Sequence, residues 1–220
     1  MAMYAALNDV HVVEATVTIP WFGIWTADVK IDVPTLINGH AGGLALTLGN
    51  VTMIGTKFRA LAFQGAKKLR IVGGYGGWLK MLPSAYYAQE SGLKRSLILR
   101  DAAKACGESV SYDTDVIVGN SYMRAAGPAS RVLNQLARSG WYMSLDGITT
   151  VGSRSTDTIT TPLQVLSADG ATGHYQIATE DVAAYMPGRS FQLPDDGTRQ
   201  ISATEIQLRE NTIRVSVLAP

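Results

Sequence analysis

The chain has 220 residues, enough for one large domain or a few small ones, and a single body of this size buries roughly 70% of its unfolded surface. Nineteen Lys and Arg against 18 Asp and Glu leave a net charge of +1, which excludes the broad electrostatic footprint of a free-standing nucleic-acid binder. The single cysteine, Cys106, excludes an internal disulfide. The opening MAMYAALNDVH lacks the basic start and apolar core of a secretion signal, and no run approaches about 18 apolar residues, so neither a secretion signal nor a membrane anchor is expected.

The first third has a period of two. Val13, Ala15, Val17 and Ile19 alternate with Glu14, Thr16 and Thr18; after PWFG, Ala27, Val29, Ile31 and Val33 alternate with Asp28, Lys30 and Asp32. Two half-buried strands joined by a short loop are predicted. Pro20 removes a ladder donor and Gly23 permits unusual dihedrals, so the strand breaks there and Trp21, Phe22 and Trp25 collect near the tip. Further strands are predicted at LALTL (44–48), NVTMI (50–54), KFRALAF (57–63) and KLRIV (68–72), separated by Gly49, Gly55 and Gly65. Short strands so closely spaced point to an antiparallel barrel or sandwich. The low charged fraction, 17%, and the 22 glycines fit many turns and a surface covered by partners in use.

After GGYGGWLKMLPSAYYAQESG the texture changes. LKRSLILRDAAKACGESVSY predicts a helix with Ile98, Ala102, Ala105 and Cys106 on one face, Gly107 as its left-handed stop, and a strand at Val110 to Tyr112. RVLNQLARSGWYMSLDG (131–147) repeats the plan. Pro128 opens a helix, Val132, Leu133, Leu136 and Ala137 form its apolar stripe, and Gly140 closes it. Trp141, Met143 and Leu145 then point one way along a strand. Asp146-Gly147 supplies the positive dihedrals of a type I′ turn, returning Ile148 to the face of Leu145 and Val151 to that of Tyr142. In the last third HYQIA (174–178) is a strand, TEIQL and TIRVSVL form a terminal pair around Glu210-Asn211, and MPGRSFQLPDDGT (186–198) is expected to be a loop. The fold class is mainly β with an α+β portion: an antiparallel β-barrel plus a small helix-hairpin domain. Its expected divisions are a barrel part at 1–76, a helix-glycine-strand domain at 77–154, and a strand-rich part at 155–220 that completes or adjoins the barrel.

No constellation for catalysis emerges. Cys106 sits on an apolar helical face, and His11, His40 and His174 lie in separate segments without ligand spacing, so a Cys-His pair, a metal site and a cofactor site are not expected. Gly73-Gly74-Tyr75-Gly76-Gly77 lacks the Lys-Ser/Thr pair of a phosphate loop and reads as a turn leaving the barrel. Ser91-Gly92-Leu93-Lys94 matches Ser-x-x-Lys without the companion motifs of serine acyl enzymes. Asp113 with Asp115, and Asp195 with Asp196, read as solvated turn carboxylates. The aromatic residues Trp21, Phe22 and Trp25 either fold back over a barrel end, bind a protein partner, or stack on sugar rings, and they are the candidate protein-interaction residues.

The order of GWLKMLPSAYYAQESGLKRSLILRDAAKACGE and SYMRAAGPASRVLNQLARSGWYMSLDGITTVGSR, within residues 77–154, resembles the central part of tailed-phage baseplate hub proteins of the late control protein D type. The resemblance covers about 80 residues and is one of texture and order rather than of an invariant motif. It implies a tail-tube-like barrel and a structural, non-enzymatic role: a homotrimeric ring joining the tail tube to the central spike. Its partners would be copies of itself, the tail tube, the spike and other baseplate proteins, with DNA passing only transiently through the lumen and no membrane contact. The chain would belong to the virion after assembly in the host cytoplasm. Many hub proteins are longer, so no additional spike-docking or lytic domain is expected. The alternatives are a β-rich carbohydrate- or receptor-binding module using Trp21, Trp25 or Trp78, and a cell-wall hydrolase using Asp113 or Asp195.

Overall fold

The computed structural model describes residues 5–31, 43–63, 66–160, 164–193 and 197–220. Val33, Asp32, His40, Gly65, Asp195 and Asp196 lie outside the described residues.

Strands β1 (Ala5–Leu7), β2 (Val10–Pro20), β3 (Thr26–Ile31), β4 (Leu44–Leu48), β5 (Val51–Phe63) and β6 (Ala66–Gly73) form a closed antiparallel barrel in the order β1-β4-β5-β6-β3-β2, with β2 returning to β1. Asn8 and Asp9 both adopt positive φ, 45° and 64°, and so turn β1 directly into β2. Along β2 the alternation holds from Ala15 to Ile19, but Val12 rather than Val13 begins the buried row. Val12 faces Ile31 and Glu14 faces Lys30, so Val13 is the extra residue of a bulge and the phase of the strand changes there.

Gly55 does not separate two strands, as the sequence suggests; β5 runs through it for 13 residues. The glycine answers a long-range demand. A Cβ on Gly55 would come within 2.7 Å of the Trp25 ring, of Ile71 Cγ2 and of the Val72 carbonyl oxygen, so the missing side chain makes room for an indole. The irregularity in β5 comes later, where Lys57 pairs with Ile71 and Arg59 with Arg70, leaving Phe58 extra and exposed.

The central stretch contains β7 (Met81–Leu82), β8 (Ala85–Lys94), α1 (Arg95–Cys106), β9 (Val110–Tyr112), β10 (Ile117–Arg124), β11 (Gly127–Pro128), α2 (Ser130–Leu136), β12 (Trp141–Met143) and β13 (Thr149–Val151). Helix α1 ends as expected, with Gly107 at φ +83° donating its N–H to the Ala103 carbonyl. Its buried arc is Ile98, Leu99, Ala102, Ala103 and Cys106; Ala105, expected inside, falls beyond the rim of that arc and is exposed. Pro128 pairs with Met81 ahead of α2 instead of opening the helix. After α2 the left-handed residue is Arg138, φ +47°, rather than Gly140, whose N–H reaches back to the Ala137 carbonyl.

The hairpin after α2 also differs by one residue. Trp141 pairs with Val151, Tyr142 with Thr150 and Met143 with Thr149, and of the Asp146-Gly147 pair only Gly147 has positive φ. This is the longer loop ending in a left-handed glycine, not a type I′ turn. Leu145 leaves the strand because its carbonyl accepts the Ile54 N–H of the barrel, at 2.7 Å. Strand β9 lies parallel beside β13 and completes a small three-stranded sheet.

The glycine loop 73–77 folds around a carboxylate from its own chain. Gly74 and Gly76 adopt φ +82° and +76°, and Glu108 accepts hydrogen bonds from the Gly77 and Tyr75 amides at 2.6 and 3.1 Å. Burial pushes the Glu108 carboxyl above its ordinary value of 4.5, against the lowering effect of those amides and of Lys80.

The remaining strands are β14 (Gln164–Asp169), β15 (His174–Ala178), β16 (Ser190–Leu193), β17 (Gly197–Gln200), β18 (Ala203–Arg209) and β19 (Thr212–Leu218). Glu210 and Asn211 turn β18 into β19 with φ of 49° and 60°, as the sequence predicts. Strand β18 pairs with β2 from Ala15 to Pro20, extending the barrel sheet through β18-β19-β15-β14 into ten strands. The stretch expected to be a loop contains half of a hairpin: β16 pairs with β17, and Phe191 and Leu193 are buried on its inner side. Period-two burial there outweighs the turn-forming prolines at either end.

Two outcomes follow from these contacts. Gly55→Ala should lower the unfolding free energy by about 1–3 kcal/mol, since neither the indole nor the Val72 backbone can retreat freely; chemical denaturation measures it, and an unchanged midpoint would contradict the packing. Because the folded Glu108 carboxyl holds its proton more tightly than the unfolded one, its contribution to stability is full below pH 4.5 and is lost as pH rises through the raised value. Denaturation across a pH series should therefore show Glu108→Gln gaining on the wild type as pH rises.

Candidate protein-interaction site

The connection between β2 and β3 carries the three aromatic residues singled out from the sequence, and the fold divides them. Trp25 is fully buried, whereas Phe22 is 42% exposed and Trp21 half-buried. Trp21 and Phe22 meet edge to face, with ring centroids 6.0 Å apart. Trp25 points the other way, into the space left by Gly55 and Gly73, and its Nε1 donates to the Ser144 carbonyl at 3.3 Å. An aromatic pair is thus displayed while the third ring anchors the tip from below.

The backbone fixes the display. Gly23, at φ +91°, donates its N–H to the Trp141 carbonyl and accepts the Met143 N–H, so the tip adds a short parallel bridge to β12. Arg154 clamps the same turn from outside the barrel sequence. Its Nε donates to the Trp21 carbonyl at 2.7 Å and its Nη2 to the Pro20 carbonyl at 3.0 Å, while its guanidinium lies 4.0 Å from the Tyr142 ring centroid. Burial lowers its pKa to about 10. Sequence reasoning missed Arg154 and Tyr142, because nothing local ties a residue 133 positions away to Trp21. The arrangement offers aromatic faces on a pinned turn, which suits contact with another surface.

The other residues weighed for chemistry are dispersed. Cys106 is buried on α1, its thiol pushed up to about 11 by burial and donating to the Ala103 carbonyl. His11 and His174 are exposed on β2 and β15. Ser91 accepts from Gln89. Asp113 accepts the Ser153 N–H, and Asp115 accepts from the Ser96 amide and hydroxyl at the start of α1. Trp78 is buried, its indole N–H donating to the Thr149 hydroxyl at 2.8 Å. Among the described residues no group of three or more His, Cys, Asp or Glu comes together, and no helix is long and apolar enough to cross a membrane.

This fold, a closed six-stranded barrel whose sheet continues outward into ten strands, is similar to that of solved phage tail proteins. The likeness spans almost the whole chain. A tail protein from Neisseria meningitidis superposes with a TM-score of 0.66 at 13% identity, covering 100% of this chain and 97% of that one. The 43 kDa tail protein of prophage MuSo2 from Shewanella oneidensis gives 0.63 at 9% identity, covering 94% and 93%. The E. coli c3393 protein, a component of the type VI secretion system described as structurally similar to the T4 tail proteins gp27 and gp5, gives 0.64 at 11% identity, covering 98% and 74%. No protein-family model and no curated protein matches the sequence.

The split between displayed and buried rings has a direct consequence. Trp25→Ala should cost about 3–5 kcal/mol as a large-to-small core change, while Phe22→Ala should leave stability within about 0.5 kcal/mol of wild type, both read by urea denaturation. Equal losses for the two would contradict the assignment of Phe22 to the surface.

Proposed function

We propose that the chain is a structural subunit of a phage-type tail, acting at the baseplate hub as a ring, a homotrimer, that joins the tail tube to the central spike. The observation that supports it is the fold shared along nearly the full length of two phage tail proteins and over 74% of a type VI secretion system component described as similar to T4 tail proteins. In this reading residues 1–76 supply the barrel wall, 77–154 a helix-hairpin domain to one side, and 155–220 the strands that reach a neighbour. The ten-stranded sheet is closed at the barrel and ends at β14, whose outer edge has no strand partner among the described residues and whose Leu166 is exposed at a bulge. Such an edge suits strand pairing with the next copy, which would remove it from solvent. Trp21 and Phe22 would contact another subunit or a tail partner, with Trp25 holding their turn in place. The role requires no reaction, and a net charge of +1 leaves transient passage of DNA through a lumen unhindered. The chain would therefore be found in the virion, assembled in the host cytoplasm.

The test is localisation and stoichiometry in purified particles. Cryo-electron microscopy should place about three copies at the tube-spike junction, as closed cyclic symmetry requires of a trimer. Leu166→Lys, which puts a charge on the open edge without touching the barrel, should lower the recovery of the chain in particles. Absence from the particle, or placement at a fibre tip, would overturn the reading and favour receptor binding.

A further inference from the structure

The outer face of the barrel sheet concentrates positive charge in a way the fold itself does not need. Two rows of residues cross it. In one, Asp28 of β3 is opposite Arg70 of β6, and Arg70 is opposite Arg59 of β5. In the other, Glu14 of β2 is opposite Lys30 of β3, and Lys30 is opposite Lys68 of β6. Arg59 facing Arg70 and Lys30 facing Lys68 are like-charge cross-strand pairs, an arrangement that destabilises a sheet. Asp28 pairs with Arg70 at 2.9 Å and Glu14 with Lys30 at 3.2 Å. Those two carboxylates are thereby used. Arg59, Lys68 and the neighbouring Arg209 make no ion pair among the described residues.

These side chains border a groove of about 640 Å³ that runs from β5 and β6 across β3 and β2 to the Arg209-Glu210 corner of β18. Five cations and three carboxylates line it, a local charge of +2 on a chain whose total is +1, so the rest of the molecule is net negative. The geometry points to this groove as a docking surface for an acidic, extended polypeptide segment of another protein. Lys68 and Arg70 stand two residues apart on β6, about 7 Å along the strand. An extended partner carrying carboxylates at every second position presents them at that same interval, to the Lys30–Lys68 pair and the Arg59–Arg70 pair in turn. The intervening neutral residues then pass Glu14, Asp28 and Glu210 without repulsion. A nucleic-acid backbone, charged at every unit, would meet those three carboxylates unfavourably.

Fluorescence anisotropy of the full chain with a labelled peptide alternating glutamate and threonine tests the assignment, with a lysine-threonine peptide and an oligothymidylate as comparators. The acidic peptide should bind, more weakly as salt rises, and the comparators should not. The double variant Arg59→Ala with Lys68→Ala should weaken that binding by roughly five- to tenfold while melting at or above the wild-type temperature, because it relieves like-charge contacts. The assignment is overturned if the oligothymidylate binds as tightly as the acidic peptide, which would make the groove a nucleic-acid surface. It is equally overturned if the acidic peptide fails to bind, if the double variant binds it unchanged, or if that variant melts below wild type, which would give the cations an internal structural role.

Discussion

Strand β2 has to satisfy three neighbours at once, and the architecture follows from how it does so. One edge pairs with β3 along most of its length; the other pairs first with β1 at Val10 and His11, and then with β18 from Ala15 to Pro20. The short contact with β1 closes the barrel, and the longer one launches the extension to β14. A straight strand of uniform phase could not serve both. The bulge at Val13 bends β2 where it changes partner and resets which side chains face inward, so that Val12 and Ala15 are both buried. Each fully buried Val, Leu or Ile on such a row contributes roughly 1.5–3 kcal/mol, which makes that register hard to slip.

Trp25 carries the same organisation from the barrel into the central segment. Its ring needs the absence of side chains at Gly55 and Gly73, and its indole N–H reaches the Ser144 carbonyl in the loop that also docks on Ile54. Arg154 and Gly23 grip the turn just before it. Barrel, tip and helix-hairpin segment are therefore joined by hydrogen bonds to the backbone, those of the Arg154 and Glu108 side chains included, and by one buried indole rather than by salt bridges, of which there are three among the described residues, none of them linking these parts. On a pinned tip the exposed Trp21 and Phe22 rings are already ordered, so little conformational freedom remains to be lost if another surface meets them.

Features decided by neighbouring residues were legible in the sequence; features decided across the chain were not. The Glu210-Asn211 turn, the Gly107 stop and the inward row from Ala15 to Ile19 depend on local dihedral preference and periodicity, and each stands where it was read. Gly55 looks like a strand break only until the indole of Trp25, thirty positions earlier, is placed against it. Leu145 fits the alternation of Trp141 and Met143, yet a backbone bond to Ile54 draws it into a loop and shifts the hairpin by one. The candidate site was half visible for the same reason: the aromatic tip is written in consecutive letters, but which ring is displayed, and that Arg154 holds the turn, depend on long-range packing. The stacked cations are hidden similarly, because Arg59 and Arg70 become neighbours only through the register of β5 on β6.

If β2 is the shared member of barrel and extension, the two halves of its outer edge should resist opening together. Native-state hydrogen exchange of the full chain measures this residue by residue. Amides of Ala15 to Ile19 in β2 and of Thr204 to Leu208 in β18 should be protected to the same degree as those of β3 and β6, all opening only with global unfolding. Fast exchange in β18 and β19 while the six barrel strands remain protected would contradict a single continuous sheet.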